Sequence, residues 1–205
     1  MDIAALTPDT AIHVVGCPEP TIWVELRRAA RQFCQDTGIW KVPFQVFAVP
    51  GLDRYPIEPE GSATVSSLEW IGLDGKRLEG RDSEVMMRNQ DPNAERGRPT
   101  HYYWGRADDM VLAPVPDSQY RLEGVMTLIP RRTALDIPDW LGERWGEALV
   151  ALAAAWLLTI PGQRWTDANF ARAQMARYQQ YVAQAKRQAE GLDQPATRVV
   201  RYGGY

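Results

Sequence analysis

The sequence predicts an α+β protein: a helical bundle, built from an N-terminal helix and two long C-terminal helices, with an inserted antiparallel β lobe and an extended C-terminal tail. Three observations predict it. Apolar residues recur at helical spacing near both ends of the chain. Between about residues 40 and 130 the pattern changes to alternation, punctuated by proline and glycine. Beyond residue 191 periodicity fades. At 205 residues and 45% hydrophobic content, the chain can bury a real core without staples. The expected organisation is a single domain over 1–191, with helices at about 20–37, 139–160 and 166–190, the β lobe at about 40–130, and a tail at 192–205.

The first helix lies in "EPTIWVELRRAARQFCQDTG", where Ile22, Leu26, Ala29, Ala30 and Phe33 make one apolar stripe. Pro20 and Thr21 suit its start and Gly38 its stop. Arg27, Arg28 and Arg31 fall on the other faces, as a solvated surface or as a site for phosphate or a partner's acids. In "IWKVPFQVFAVPGLDRYPIEPEG", Phe44, Val46 and Ala48 alternate with Gln45 and Phe47, which predicts a strand with a proline-punctuated exit. "ATVSSLEWIGLDGKRLEG" gives a second strand with a tight turn at Asp74-Gly75. "SEVMMRN" suggests another short strand, and "QDPNAERGRP" a polar surface loop. "THYYWGR" and "DMVLAPV" predict strands on either side of Ala107-Asp108. In "SQYRLEGVMTLIP", Tyr120, Leu122, Met126 and Leu128 share one face with Gly124, while Arg121, Glu123 and Thr127 take the other.

The second long helix, within "LDIPDWLGERWGEALVALAAAWLLTIPG", has Asp136 or Asp139 as candidate cap and Pro138 near the first turn. Leu141, Trp145, Ala148, Leu149, Leu152 and Trp156 make one stripe, and Val150, Leu157 and Leu158 make the other faces apolar too. Such a helix must be covered nearly all round, by its own domain or by another subunit. Its apolar run, Ala148 to Ile160, is shorter than the ~20 residues a bilayer requires, so no membrane partner is expected. The last helix takes Asp167 as N-cap and Gly191 as stop, with a seam of Ala171, Met175, Tyr178, Val182, Ala185 and Ala189. The tail "LDQPATRVVRYGGY" carries Val199, Val200, Tyr202 and Tyr205, which suit ordering on a partner better than permanent disorder.

Charge is unevenly spread. From Arg164 onward seven basic residues face three acids, so that segment is +4 and the rest is −7 in a chain of net charge −3. A basic end on an acidic body suggests docking to an acidic partner or to another copy, and the net field makes no case for a nucleic-acid binder. Cys17 and Cys34 form no disulfide framework, and with His13 and His101 they have no zinc spacing. The N-terminus has no basic region and reads as no signal peptide, which places folding in a reducing cytoplasm.

Signs of chemistry are few. Nucleophile-elbow, Walker, His-Glu-x-x-His and dinucleotide motifs are missing from the sequence. Asp108-Asp109 reads as a turn, and Asp53, Glu58 and Glu60 make a weak calcium pattern. No catalytic residue, metal site or cofactor is therefore expected. Trp70, Tyr102, Tyr103 and Trp104 could stack on sugar if they formed an open face.

The order of parts carries a resemblance. "LRRAARQFCQDTGIW" leads into the β lobe; "PTHYYW…LAPVPDSQYRLEGVMTLIP" follows; then comes "IPDWLGERWGEALVALAAAWLLTIPGQRWTDANFARAQMARYQQYVAQA". Over roughly residues 20–190 this resembles the head-to-tail adaptor proteins of short-tailed bacteriophages, the tail tubular protein A type. The resemblance implies a non-enzymatic virion protein in a ring of twelve copies, joining portal protein to tail nozzle protein, with genomic DNA passing through its channel without tight binding. It implies a portal-docking role for the tail, here Arg198, Val199, Val200, Arg201 and Tyr202. Trp145, Leu157, Leu158, Tyr178 and Tyr181 are the expected subunit contacts, the long helices making one patch and the β lobe facing the nozzle. Two alternatives remain at this stage: another virion connector or tail completion protein, and a carbohydrate-binding module.

Overall fold

The stripe of Ile22, Leu26, Ala29, Ala30 and Phe33 winds into α2, Glu19–Thr37, and all five side chains are fully buried. The computed structural model describes residues 1–59, 61–81, 96–104 and 109–192. Gly38 ends α2 in the left-handed conformation, φ 59°, and its N–H donates to the Cys34 carbonyl at 2.9 Å. Before it, the first residues form a 3-10 turn, Ile3–Leu6, and α1, Thr7–Ala11. These two elements were not foreseen, because each is too short to show a period.

The chain divides into two units, Met1–Ile39 with Arg132–Tyr205, and Trp40–Arg131. In the first unit, α3 spans Asp139–Leu158 and α4 spans Ala168–Leu192. Fourteen of the twenty α3 residues are buried, so its C-terminal half has almost no free face. The cover comes from within the unit: α2, α4 and the N-terminal elements all pack on α3. Gly142 and Gly146, one turn apart, form a notch filled by the side chains of Met1 and Leu6.

Details of these helices differ from expectation. Pro138, not an aspartate, is the N-cap residue of α3, and no side chain caps it. Asp139 instead accepts from the Met1 nitrogen at 2.5 Å, while Asp136 forms a bridge with Asp2. Trp156 is only half-buried, and the Arg28 guanidinium covers it at 4.3 Å from the ring centre. On α4, Ala171, Tyr178, Val182, Ala185 and Ala189 are buried, but Gln174 takes the position expected of Met175. Asp167 does cap α4: its carboxylate accepts from the N–H groups of Asn169 and Phe170, each at 2.9 Å.

The second unit contains two four-stranded sheets. One has the order β1-β10-β3-β4: Lys41–Ala48, Tyr120–Pro130, Ala63–Leu73 and Lys76–Arg77. The other has the order β2-β8-β7-β5: Arg54–Pro56, Asp109–Ala113, His101–Trp104 and Glu79–Gly80. A short pair, β6 (Arg96–Gly97) and β9 (Val115–Pro116), is parallel, as is the β5–β7 contact. Met110 and Leu112 of one sheet share a core with Leu122, Met126 and Leu128 of the other. Pro43 and Pro56 lie on edge strands, where a missing N–H breaks no inner ladder. Asp74 (φ 49°) and Gly75 (φ 80°) make the expected tight turn, and the Asp74 carboxylate accepts from the Arg121 N–H at 3.0 Å. "SEVMMRN" lies outside the described residues, and the supposed polar loop after it contains β6.

Gly124 stands opposite Phe44 on one side and Ile71 on the other. A Cβ there would overlap the Trp70 carbonyl oxygen and lie 2.8 Å from the Phe44 ring. The aromatic ring covers what a side chain would have covered. Gly124→Ala should therefore destabilise the β unit by about 1–3 kcal/mol, whereas Gly191→Ala, with open space around it, should be neutral or slightly stabilising. Urea midpoints of the two variants check this; equal midpoints would contradict the close approach. Asp167→Ala should cost about 1 kcal/mol by loss of the α4 cap, read as a lower melting temperature.

Candidate interaction surfaces

The expected subunit-contact residues do not form an outer surface. Trp145, Leu157, Leu158 and Tyr178 are each less than 5% exposed and belong to the core of the helical unit. Phe33 packs on both Trp145, at 5.5 Å between ring centres, and Tyr178, at 6.3 Å. The Tyr178 hydroxyl donates to Asp36 at 2.6 Å, and burial with that bond pushes its pKa well above the usual phenol range. This corrects the expectation: a folded chain has almost no area of these four side chains to offer a neighbour. Tyr181 is partly exposed, and its hydroxyl donates to Glu147, which also pairs with Arg177 at 2.5 Å. The Tyr181 bond and the Arg177 charge hold Glu147 below the ordinary carboxylate range. Arg198, Val199, Val200, Arg201 and Tyr202 lie outside the described residues.

The helical unit exposes other material. On the outer face of α2, Arg27, Arg28 and Arg31 line a cleft of about 420 Å³ with Val24, Gln32, Gln35 and Arg132. Arg28 is shared between Glu25, at 3.5 Å, and the Trp156 ring. Arg27 and Arg132 make no ion pair with any described residue. Trp23 and Val24 flank the arginines and are 40% and 51% exposed. Large apolar side chains at this exposure, beside arginine, are typical of protein contact surfaces.

A second outer surface surrounds the start of α3. Leu135 is 64% exposed and Trp140 39%; Asp136, Asp139, Glu143 and Arg144 are exposed nearby in sequence, with Asp139 paired to the Met1 amine. Sequence reading singled out Arg27, Arg28 and Arg31 of the first surface but not Trp23, Val24 or Arg132 beside them, and it missed the second surface. The available signal was Trp23, Val24 and Trp140, apolar residues that fall off the buried stripe of their helix; Arg132 joins the α2 cleft only through the fold.

Other hollows differ in size and lining. Asp9, Ile12, His13, Glu147, Val150 and Arg177 line one of about 260 Å³. His13 packs on Phe170, and burial, aided by Arg177, lowers its pKa. In the β unit, edge strand β1 borders a groove of about 620 Å³ lined by Trp40, Val42, Phe44, Val46 and Ile57 among others. Phe47, Val49 and Leu52 are exposed nearby in sequence, and the Tyr55 hydroxyl ties down their loop by donating to the Leu52 carbonyl at 2.6 Å.

The aromatic stretch does not make a sugar platform. Tyr103 is 4% exposed, and Tyr102 and Trp104 pack against the sheet core from the other face of β7. Trp70 is partly buried against Gly72. The carbohydrate reading loses its open face. Asp108 and Glu60 lie outside the described residues, and Asp109 is the first residue of β8. Among the described residues no three His, Cys, Asp or Glu side chains group as metal ligands, and no helix is long and apolar enough to cross a membrane.

Over residues 18–201 the chain matches the family model described as SU10 adaptor protein. The chain belongs to the SU10 adaptor protein family. It is a phage adaptor, a structural component of the virion at the head–tail junction, and its partners are other virion proteins. No curated protein matches the chain. The family is structural rather than enzymatic, and the match spans both units of the adaptor, so neither is an unrelated insertion.

The adaptor's thiols differ in environment. Cys34 is fully buried on α2, and burial pushes its thiol up to about 12 from 9.0. Cys17 is partly exposed and is raised by burial in the same direction. A thiol reagent at about pH 8 should label Cys17 in the folded adaptor and reach Cys34 only on unfolding. The buried neutral thiol is compatible with folding below the unfolded value of 9.0; that stability is lost as pH rises from 9.0 to about 12. Rapid labelling of both thiols in the folded state would contradict the burial of Cys34.

Proposed function

We propose that this adaptor forms a ring that joins the portal to the tail nozzle, in the manner of the tail tubular protein A type, with genomic DNA passing through its channel. The family match over residues 18–201 carries this reading. Exposed apolar side chains support it: Trp23, Val24, Leu135 and Trp140 in the helical unit, and Phe47, Val49 and Leu52 in the β unit, are the kind of surface that assembly covers. A ring uses two different patches per subunit, repeated by rotation until the circle closes, and twelve copies is the number the resemblance implies. A net charge of −3 fits a channel that lets DNA slide, because many phosphate contacts would hold it back.

The tail segment Arg198, Val199, Val200, Arg201 and Tyr202 is the portal-docking element in this reading: two cations and three apolar side chains beyond the last helix. The deciding experiment is light-scattering mass with negative-stain imaging, with and without purified portal protein of the same virus. Rings, alone or on the portal, are the expected result; a monomer that ignores the portal would overturn the reading. Deleting residues 197–205 should leave the melting temperature unchanged and weaken portal binding. A truncated chain that binds portal as well as the full one would remove the tail assignment.

A further inference from the structure

We infer that the arginine cleft of α2 receives an acidic segment, carrying at least one apolar side chain, from a virion protein other than this chain. The inference rests on the reading above, in which the adaptor stands between portal and nozzle, and it names the chemistry of a partner segment that one of its surfaces takes.

The cleft is built by helical periodicity. Val24, Arg27, Arg28, Arg31, Gln32 and Gln35 recur at i, i+3, i+4, i+7, i+8 and i+11, so they share one face of α2. Trp23 precedes Arg27 by four positions and Arg31 by eight, and so stands in the same row. From Val24 to Gln35 the face runs roughly 16 Å, about three helical turns. Arg132 joins it from the segment before α3. A face of that length suits a stretch of polypeptide better than a single ion.

Much of its charge is unspent. Four guanidinium groups and two side-chain amides line the cleft, and no carboxylate does. Arg28 is held by Glu25 and by the Trp156 ring, and Gln32 donates to Asp36 at 2.7 Å. Arg27 and Arg132 make no ion pair with any described residue. Arg27 and Arg31, four positions apart, are a like-charged pair on one helix face, which an arriving carboxylate relieves. Carboxylates are also the groups that guanidinium forks bind with two parallel hydrogen bonds.

The apolar part of the face selects the class of partner. Trp23 is 40% exposed and Val24 51%. A DNA backbone would pair with the arginines and leave both in water. An acidic protein segment with an apolar side chain satisfies the cations and covers Trp23 and Val24 together, and tryptophan beside arginine is where protein interfaces concentrate their affinity. The chain's own acids fit that part poorly. Asp74, Glu79, Glu123, Asp139 and Glu147 each already hold a cation of this chain, and exposed Arg144 follows Glu143. The partners of a phage adaptor are other virion proteins, which are the remaining source.

Binding of the full chain to purified portal protein and, separately, to purified nozzle protein of the same virus tests this, with each titration run at several salt concentrations beside thermal melts. The unaltered chain should bind at least one of the two, more weakly as salt rises. Arg27→Glu/Arg132→Glu should weaken that complex at least roughly tenfold. Trp23→Ala should weaken it too, with the salt dependence kept. Should the reversal lower the melting temperature, Arg27→Gln/Arg132→Gln should fold, bind more weakly than the unaltered chain and show a flatter salt dependence. Arginine variants that bind both proteins like the unaltered chain would overturn the inference while leaving the reading above intact. Loss of self-assembly alone, with both proteins bound as before, would overturn it in favour of a contact between copies. Loss of binding to a labelled DNA duplex alone would overturn it in favour of a DNA surface. An unaltered chain that binds neither protein would overturn both the inference and the reading it rests on.

Discussion

Helix α3 is apolar on nearly every side, and in water a helix of that kind has to be enclosed on nearly every side. Much of the helical unit answers that demand. Its Leu141, Leu149, Leu152, Leu157 and Leu158 are each no more than 2% exposed, and burying one such side chain contributes about 1.5–3 kcal/mol. α2 presents Phe33 to Trp145, α4 presents its seam, and the first residues of the chain fill the notch at Gly142 and Gly146. An N-terminal turn too short to be stable alone is held because α3 needs the cover.

Enclosing α3 within its own chain also decides what is left for assembly. The residues that look most adhesive in the sequence, Trp145, Leu157, Leu158 and Tyr178, are used internally. What stays partly exposed on the outer faces of the same helices is different material, Trp23 and Val24 on α2 and Trp140 on α3. In this phage adaptor the core of the helical unit is closed by its own chain.

The β unit depends on a comparable close fit. β10 is the inner strand of its sheet, paired on both edges, and its register shifts at Val125/Met126 and Thr127/Leu128 let it follow the twist of β3. Gly124 lies at the tightest point, under Phe44 and against the Trp70 backbone. On the polar face Thr127 is nevertheless buried, and its hydroxyl donates to Glu69 at 2.6 Å, so it is satisfied rather than solvated.

The sequence by itself determined the local grammar of this protein. The α2 stripe, the Gly38 stop, the Asp167 cap, the Asp74-Gly75 turn and the alternation along Tyr120–Pro130 are set by residues a few positions apart, and short-range sterics and periodicity suffice to read them. The order of those parts was enough to suggest a phage adaptor. Tertiary structure alone decided which apolar residues become core and which stay outside. Composition cannot distinguish Trp145 from Trp140, or Met175 from Gln174, because burial depends on which neighbour arrives from a distant part of the chain. The same holds for Asp139, which Met1 engages from 138 positions away, and for Arg132, which joins the α2 arginines only once the bundle has formed. Contacts of that range are fixed by packing of the whole unit, and no local pattern encodes them.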